Sequence, residues 1–300
     1  MIGNGHTVRA PALLGYAGGL IGYSGDNTRL ENNQVDHINV LTNGVSNYAG
    51  GLVGAARNSS LFDNAINRAK VEAYSYAGGI AGVTYGYSAQ AHSNGTLVTK
   101  NIVDTESSVQ GRGSYAGGAF GASYEGSEVR QTLTHAKVVG KGSYNGGFAG
   151  VIYDRSTVDQ SAAYGSVEAV RYTGGFVGAL YNSASVSNSY ARGAVTGTTE
   201  LGGFVGTFYD SAIIENSYAA NTIHTDERNQ ERAGAFAGQH LGTRQQYAGT
   251  NYFDQQIAGI TQNLSNAGGE QTSGARPQGK DTQEFSQSGT FDGWDFEDTW

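Results

Sequence analysis

The stretch Tyr172-Thr-Gly-Gly-Phe-Val-Gly-Ala-Leu-Tyr181 decides the fold. Its kernel, Gly-Gly-apolar-x-Gly, returns with first glycines at Gly18, Gly50, Gly78, Gly117, Gly146, Gly174 and Gly202, and in worn form at Gly234. The spacings between them are 32, 28, 39, 29, 28, 28 and 32 residues. A period of this length marks stacked units, each of which buries its apolar face only against its neighbours.

Within a copy, small polar and apolar residues alternate in three pieces, as at 147–153, 157–164 and 166–170. Alternation with a period of two predicts strands with one buried face, and no stretch before residue 240 carries a 3.6-residue period. Three short strands per 28 residues, with all copies in register, predict an all-β chain. The expected fold is a right-handed parallel β-helix, a solenoid of about eight coils that rise about 4.8 Å each. Identical positions of successive coils then stack in columns. Leu20, Leu52, Ile80, Phe148, Phe176, Phe204 and Phe236 form one inward column. The glycines at 22, 54, 82, 121, 150, 178, 206 and 238 share its parity and make room for large neighbours, and Thr84, Ile152, Leu180 and Phe208 follow. A second column is Val71, Val109, Val139, Val167, Val195 and Ile223. A third, of stacked amides, is Asn32, Gln131, Gln160, Asn188 and Asn216. The Gly-Gly pair is expected to turn a corner at positive φ.

Around this array, residues 1–15 read as a lead-in strand or cap, 16–239 as the repeats, and 240–300 as a C-terminal cap. In that cap Phe253, Trp294, Phe296 and Trp300 are expected to cover the last coils, because an open edge of unpaired strands recruits other chains. Two insertions interrupt the period. One lies at 86–95, and the other at 224–232 is the most charged segment of the chain. Solenoid insertions leave the rod as loops, often on a binding face, although a solvated polar loop is the plainer reading.

Composition narrows the function. The 300 residues include 47 Gly and 19 Tyr but only 2 Pro, and the formal net charge is −8 without a basic run, which argues against a nucleic-acid partner. Zero cysteines exclude disulfides and thiolate metal sites. The apolar runs are too short to span a bilayer, so no membrane insertion is expected from this segment. The six histidines lack ligand spacing, so no metal or other cofactor is expected.

Tyr48-Ala-Gly-Gly-Leu-Val-Gly54, with Asn-Ser-Tyr-Ala at 188–191 and again at 216–219, resembles the GLUG-motif repeat. That repeat occurs in large bacterial surface proteins, among them filamentous haemagglutinin-like adhesins and the non-catalytic regions of some IgA-specific metallopeptidases. The tail, Asn251-Tyr-Phe-Asp254 followed by Gly293-Trp-Asp-Phe296, is similar to what closes such arrays. The resemblance implies a β-helical stalk or adhesive domain in an extracellular segment of a larger exported protein. It brings no catalytic residues with it. The partner it implies is a glycan or surface protein of a host or neighbouring cell.

Two tyrosine columns are candidate binding surfaces. Tyr16, Tyr48, Tyr76, Tyr115, Tyr144 and Tyr172 precede the glycine pair, while Tyr85, Tyr124, Tyr153, Tyr181 and Tyr209 follow it on the parity opposite to the buried set. An exposed row of phenols offers apolar area and hydroxyls at small entropic cost, which suits a sugar or protein ligand; stacking that merely stiffens the rod is the alternative. Glu125, Asp154, Asn182 and Asp210 come directly after the second column. Asp154 and Asp210 join the candidate binding residues. They also carry the rival reading of a polysaccharide-processing enzyme, because stacked carboxylates would fall about 5–10 Å apart, as glycosidase pairs do. Acidic residues after a strand are, however, ordinary turn formers, and no nucleophile motif accompanies these. The expectation is therefore a non-enzymatic adhesive or spacer domain.

Overall fold

The computed structural model describes residues 2–4, 7–10, 15–45, 47–86, 95–209, 211–241, 247–260, 276–291 and 294. It is a parallel β-solenoid of about eight turns. Each turn holds more and shorter strands than the three pieces read from the sequence. One coil runs through Tyr144–Gly146, Ala149–Ile152, Thr157–Asp159, Ala162–Ala163 and Val167–Ala169. Each of these pairs in parallel with its equivalent one coil on, as Val151 with Ala179, Val158 with Val186 and Val167 with Val195. The result is three sheets of eight strands and one of sixteen.

The core sits inside the coil. Leu52, Ile80, Phe148, Phe176, Phe204 and Phe236 are fully buried, as are Thr84, Ile152, Leu180 and Phe208. The phenylalanines stack at 4.6, 4.9 and 5.1 Å with interplanar angles of 10° or less. Burying each contributes about 1.5–3 kcal/mol. The valine column holds with one correction. Val138, and not Val139, lies between Val109 and Val167, while Val139 is half-buried between Gln110 and Glu168. The two adjacent valines are indistinguishable by composition, and the strand's register chooses between them.

Two further expectations are overturned. The Gly-Gly pair does not turn at positive φ: among the described glycines only Gly126, Gly193, Gly249 and Gly259 do. The pair is glycine because backbones crowd there. A methyl on Gly174 would meet Val177 O and lie 2.8 Å from Gly206 N and Phe204 O. The strand glycines likewise face the backbone of the preceding coil, with Gly22 O and Ala17 N at 2.5 and 2.7 Å from a methyl placed on Gly54, so they make no room for a side chain. The corners are instead turned by non-glycine residues in the left-handed region, among them the proposed amide column: Asn32, Gln131, Gln160, Asn188 and Asn216 have φ of 54°, 49°, 49°, 45° and 44°.

The buried polar ladder lies one residue later. Asn101 Oδ1 accepts from Asn64 N and Nδ2 at 3.1 and 2.8 Å, and Asn101 Nδ2 donates to Leu61 O and Thr99 O. Hydroxyls then take over: Ser161 Oγ accepts from Thr132 N, Ser189 Oγ from Ser161 N, and Ser217 Oγ from Ser189 N. Asn251 Oδ1 closes the run by accepting from Ser217 N. Backbone donors freed by each corner are thereby satisfied from the next coil.

At the N-terminal end Ile2–Asn4 and Thr7–Ala10 are two strands, paired on Gln34–Asp36 and Asn39–Thr42. At the other end the sheets run on past residue 240: Tyr247–Ala248 and Tyr252–Asp254 pair on the preceding coil, and Gln278–Lys280 pairs on Tyr252–Asp254. Phe253 is buried, and Trp294 packs on Tyr218 with 5.9 Å between centroids. Phe296 and Trp300 lie outside the described residues.

Crowding at Gly174 predicts that Gly174→Ala lowers stability in chemical denaturation by roughly 1–3 kcal/mol, since the opposing atoms are backbone. Gly126→Asn, at φ 71° in open space, is expected to cost less than about 1 kcal/mol. The displaced amide ladder gives a second contrast. Asn101→Ala strands several buried polar groups and is expected to lose about 2–4 kcal/mol, whereas Gln131→Ala, at an exposed corner, should change stability by about 0.5 kcal/mol or less.

Candidate functional site

The strand after the glycine pair is buried on both sides. Ala55, Val83, Ala122, Val151 and Ala179 belong to the parity opposite to the core, yet they are fully buried in an apolar cluster of their own. What covers them is tyrosine. Tyr48, Tyr76, Tyr115 and Tyr144 from the strand before the corner, and Tyr85, Tyr124, Tyr153 and Tyr181 from the end of the strand itself, pack on this shelf. Small shelf residues leave the depth that a phenol ring fills.

Both tyrosine columns are ladders. In the first, successive centroids from Tyr16 to Tyr172 lie 5.1, 4.7, 4.8, 5.4 and 5.0 Å apart, at 9–15°. In the second, Tyr85, Tyr124, Tyr153 and Tyr181 follow at 5.3, 5.0 and 5.3 Å, at 8–27°. The second column is therefore half-buried, and each ring face is turned to the next ring. Burial pushes these phenols above their ordinary value: Tyr76 to about 12, with Tyr124, Tyr153 and Tyr181 higher still, neighbouring tyrosines adding to the effect.

The ladders stop at one place. Where the first column would continue, Glu200 stands in place of a tyrosine and Arg232 follows it. Glu200 is fully buried. It accepts from Arg171 Nε at 3.2 Å and pairs with Arg232, while Arg171 also donates to the Tyr172 hydroxyl at 2.6 Å. Thr207 replaces the apolar shelf residue. Beside Glu200 and Thr207, Tyr209 turns 84° from Tyr181, at 5.5 Å, and its phenol hydrogen-bonds that of Tyr144. A groove of about 310 Å³ opens there, lined by Tyr144, Tyr181, Asn182 and Tyr209.

The acidic column lies beside it. Glu125, Asp154 and Asn182 all occupy the left-handed region, at φ 54°, 52° and 54°, so each turns a corner. Asp154 Oδ1 accepts from Asn182 Nδ2 at 3.0 Å. Burial, and then the charge of Asp154, raise the Glu125 carboxyl. Asp210 lies outside the described residues, as does 87–94 of the first insertion. The second insertion forms a surface 3₁₀ turn, Glu227–Arg232, whose Arg232 is drawn to Glu200. Among the described residues no three His, Asp or Glu side chains converge as metal ligands do, and no helix is long and apolar enough to cross a membrane.

Sequence reasoning missed two features. Glu200 was legible as the residue that breaks the tyrosine spacing. A further aromatic column, His135, Tyr164, Tyr190 and Tyr218, runs down another face and meets Phe285, Phe291 and Trp294. Its signal was the tyrosine shared by the two Asn-Ser-Tyr-Ala segments.

The family model of the GLUG motif matches residues 169–196. The chain carries a GLUG repeat. The matched GLUG segment includes Arg171–Gly174, Val177–Leu180, Ser185–Ser187 and Tyr190–Thr196, which is one turn of the solenoid. No curated protein and no solved structure matches the chain.

The raised phenols have a pH signature. Folded Tyr76, Tyr124, Tyr153 and Tyr181 hold their protons above the unfolded value near 10, so their contribution to stability is fully present up to about pH 10 and is lost as pH rises through the folded values, about 12 for Tyr76. In a titration followed at 295 nm, ladder tyrosinates should appear together with loss of the β-sheet circular-dichroism signal. Ladder ionisation near pH 10 with the sheet intact would contradict the stacking.

Proposed function

We propose that this solenoid is an adhesive domain of an exported bacterial surface protein, and that it binds glycan or protein through the face built by the two tyrosine ladders. One observation carries the reading. Eight half-buried tyrosines cover a second apolar cluster outside the coil, on a chain whose solubility otherwise rests on Ser, Thr, Asn and Gln. Tyrosine-rich surfaces combine large contact area with few rotatable bonds, which suits recognition. Tyr85, Tyr124, Tyr153, Tyr181 and Tyr209, together with Asp154 and Asp210, are the residues proposed to meet the ligand. The GLUG repeat and the solenoid fold are compatible with such a surface domain.

A spacer reading is favoured by the ladders themselves, because rings stacked on one another spend their faces on stiffness. The enzymatic alternative rests on Asp154 and Asp210; the left-handed corner at Asp154 and its bond to Asn182 favour a turn-forming role there.

The domain, screened on glycan and surface-protein arrays, is expected to bind. Tyr153→Ser, Tyr181→Ser and Tyr209→Ser combined should abolish that binding while the β-sheet signal remains. Absence of any ligand would favour the spacer. Release of reducing ends from a polysaccharide, lost in Asp154→Asn, would replace the adhesive reading with the enzymatic one.

A further inference from the structure

We propose that the break in the tyrosine ladders is a subsite for one neutral hexopyranose residue of a glycan. This inference rests on the adhesive reading and narrows it to a place and a ligand class.

A pyranose binds an aromatic ring by laying the C–H groups of one face against the negative face of the π-system. Along both ladders those faces are occupied by the next tyrosine, at 4.7–5.4 Å and shallow angles. Tyr209 is the exception. Its ring, at 84° to Tyr181, directs its faces sideways off the stacking axis, and it lines the groove described above. A volume of about 310 Å³ lies at the lower end of small-ligand sites, enough for one sugar ring and too small for a folded partner.

The polar groups fit a sugar's hydroxyls. Three phenols and an amide line the groove. Asn182 gives one hydrogen to Asp154 Oδ1 and retains a second donor and an acceptor. Such a pair, a planar amide beside a carboxylate, presents a donor and an acceptor to vicinal hydroxyls.

Charge selects for a neutral sugar. Asp154 holds negative charge beside Asn182, and Glu125 follows one coil behind. Arg171 lies close enough to act on both Tyr144 and Tyr209, but its guanidinium is engaged by Glu200 and the Tyr172 hydroxyl, and Arg232 is engaged by Glu200. A uronate or sialate carboxylate would therefore meet the negative charge of Asp154, while the nearby Arg171 guanidinium is already paired with Glu200.

The opening is also built into the fold. A tyrosine at 200 would extend the first ladder; a carboxylate is there instead, fully buried and held by two arginines from adjacent coils. Burying the Glu200 carboxylate costs desolvation that an aromatic residue would avoid.

Saturation-transfer NMR on the whole domain tests the proposal, using the methyl glycosides of glucose, galactose and mannose as probes and glucuronate and N-acetylneuraminate as anionic comparators. At least one neutral glycoside is expected to bind. Tyr209→Ala and Asn182→Ala, at the ladder's end and at an exposed corner, should each weaken it by roughly tenfold with the β-sheet signal unchanged. Tyr209→Phe should restore most of it, and Tyr74→Ala, at an exposed tyrosine outside both ladders, should leave it intact. Preference for the anionic sugars, indifference to Tyr209→Ala, or no binding by any neutral glycoside would overturn the subsite. If the domain still bound glycan arrays while Tyr209→Ala had no effect, the subsite alone would fall. Loss of array binding altogether would take the adhesive reading with it.

Discussion

The structure depends on one constraint: each coil exchanges backbone hydrogen bonds with the next at fixed register, so repeat side chains lie on their equivalents about 4.8 Å away. Only side chains that tolerate self-stacking can fill a column. Phenylalanine does so inside, tyrosine outside, and amides and hydroxyls at the corners, where each accepts from the backbone of its neighbour. Opposite charges meet between coils, mostly at offset positions: Asp26 with Arg57, Asp36 with Arg68, Glu72 with Arg112, Lys137 with Glu168, and Arg171 and Arg232 with Glu200; Glu125 on Asp154 is a like-charged exception, and its carboxyl is raised. The bond from Arg68 holds the Asp36 carboxyl below its ordinary value. Exposed pairs of this kind contribute little to stability individually; what they avoid is repulsion.

Parallel sheets are normally covered on both faces, most often by helices. Here the inner face is covered by the coil closing on itself, and one outer face is covered by tyrosines standing on an alanine and valine shelf. This explains why the strand after the glycine pair is apolar at both parities. A groove opens in this layer where Glu200 and Thr207 take the places of a tyrosine and an apolar shelf residue beside Tyr209.

The period, the columns and the inward aromatic set were legible because spacing alone fixes them once coils stack. Four things were not. The glycine pair signals crowding as strongly as it signals positive φ, and only the position of Val177 O and Gly206 N decides between them. Adjacent valines at 138 and 139 differ by one residue of register, which no composition records. Asn188 and Ser189 are both polar, so the buried ladder was assigned to the amide when it belongs to the hydroxyl beside it. The outer shelf was invisible because opposite parity reads as solvent when no element in the sequence is set aside to cover it. The groove was hidden for the same reason, though the missing tyrosine at 200 marked the place.

The direction of the inter-coil bonds has a mechanical corollary. Since they lie along the rod, tension applied at its two ends loads one seam at a time, and the chain peels off turn by turn instead of shearing whole. A turn of 28 residues shortens the rod by a single strand spacing when it detaches, yet releases roughly 90 Å of slack. Such a filament yields progressively under pull and keeps its remaining turns, the behaviour of an extensible tether.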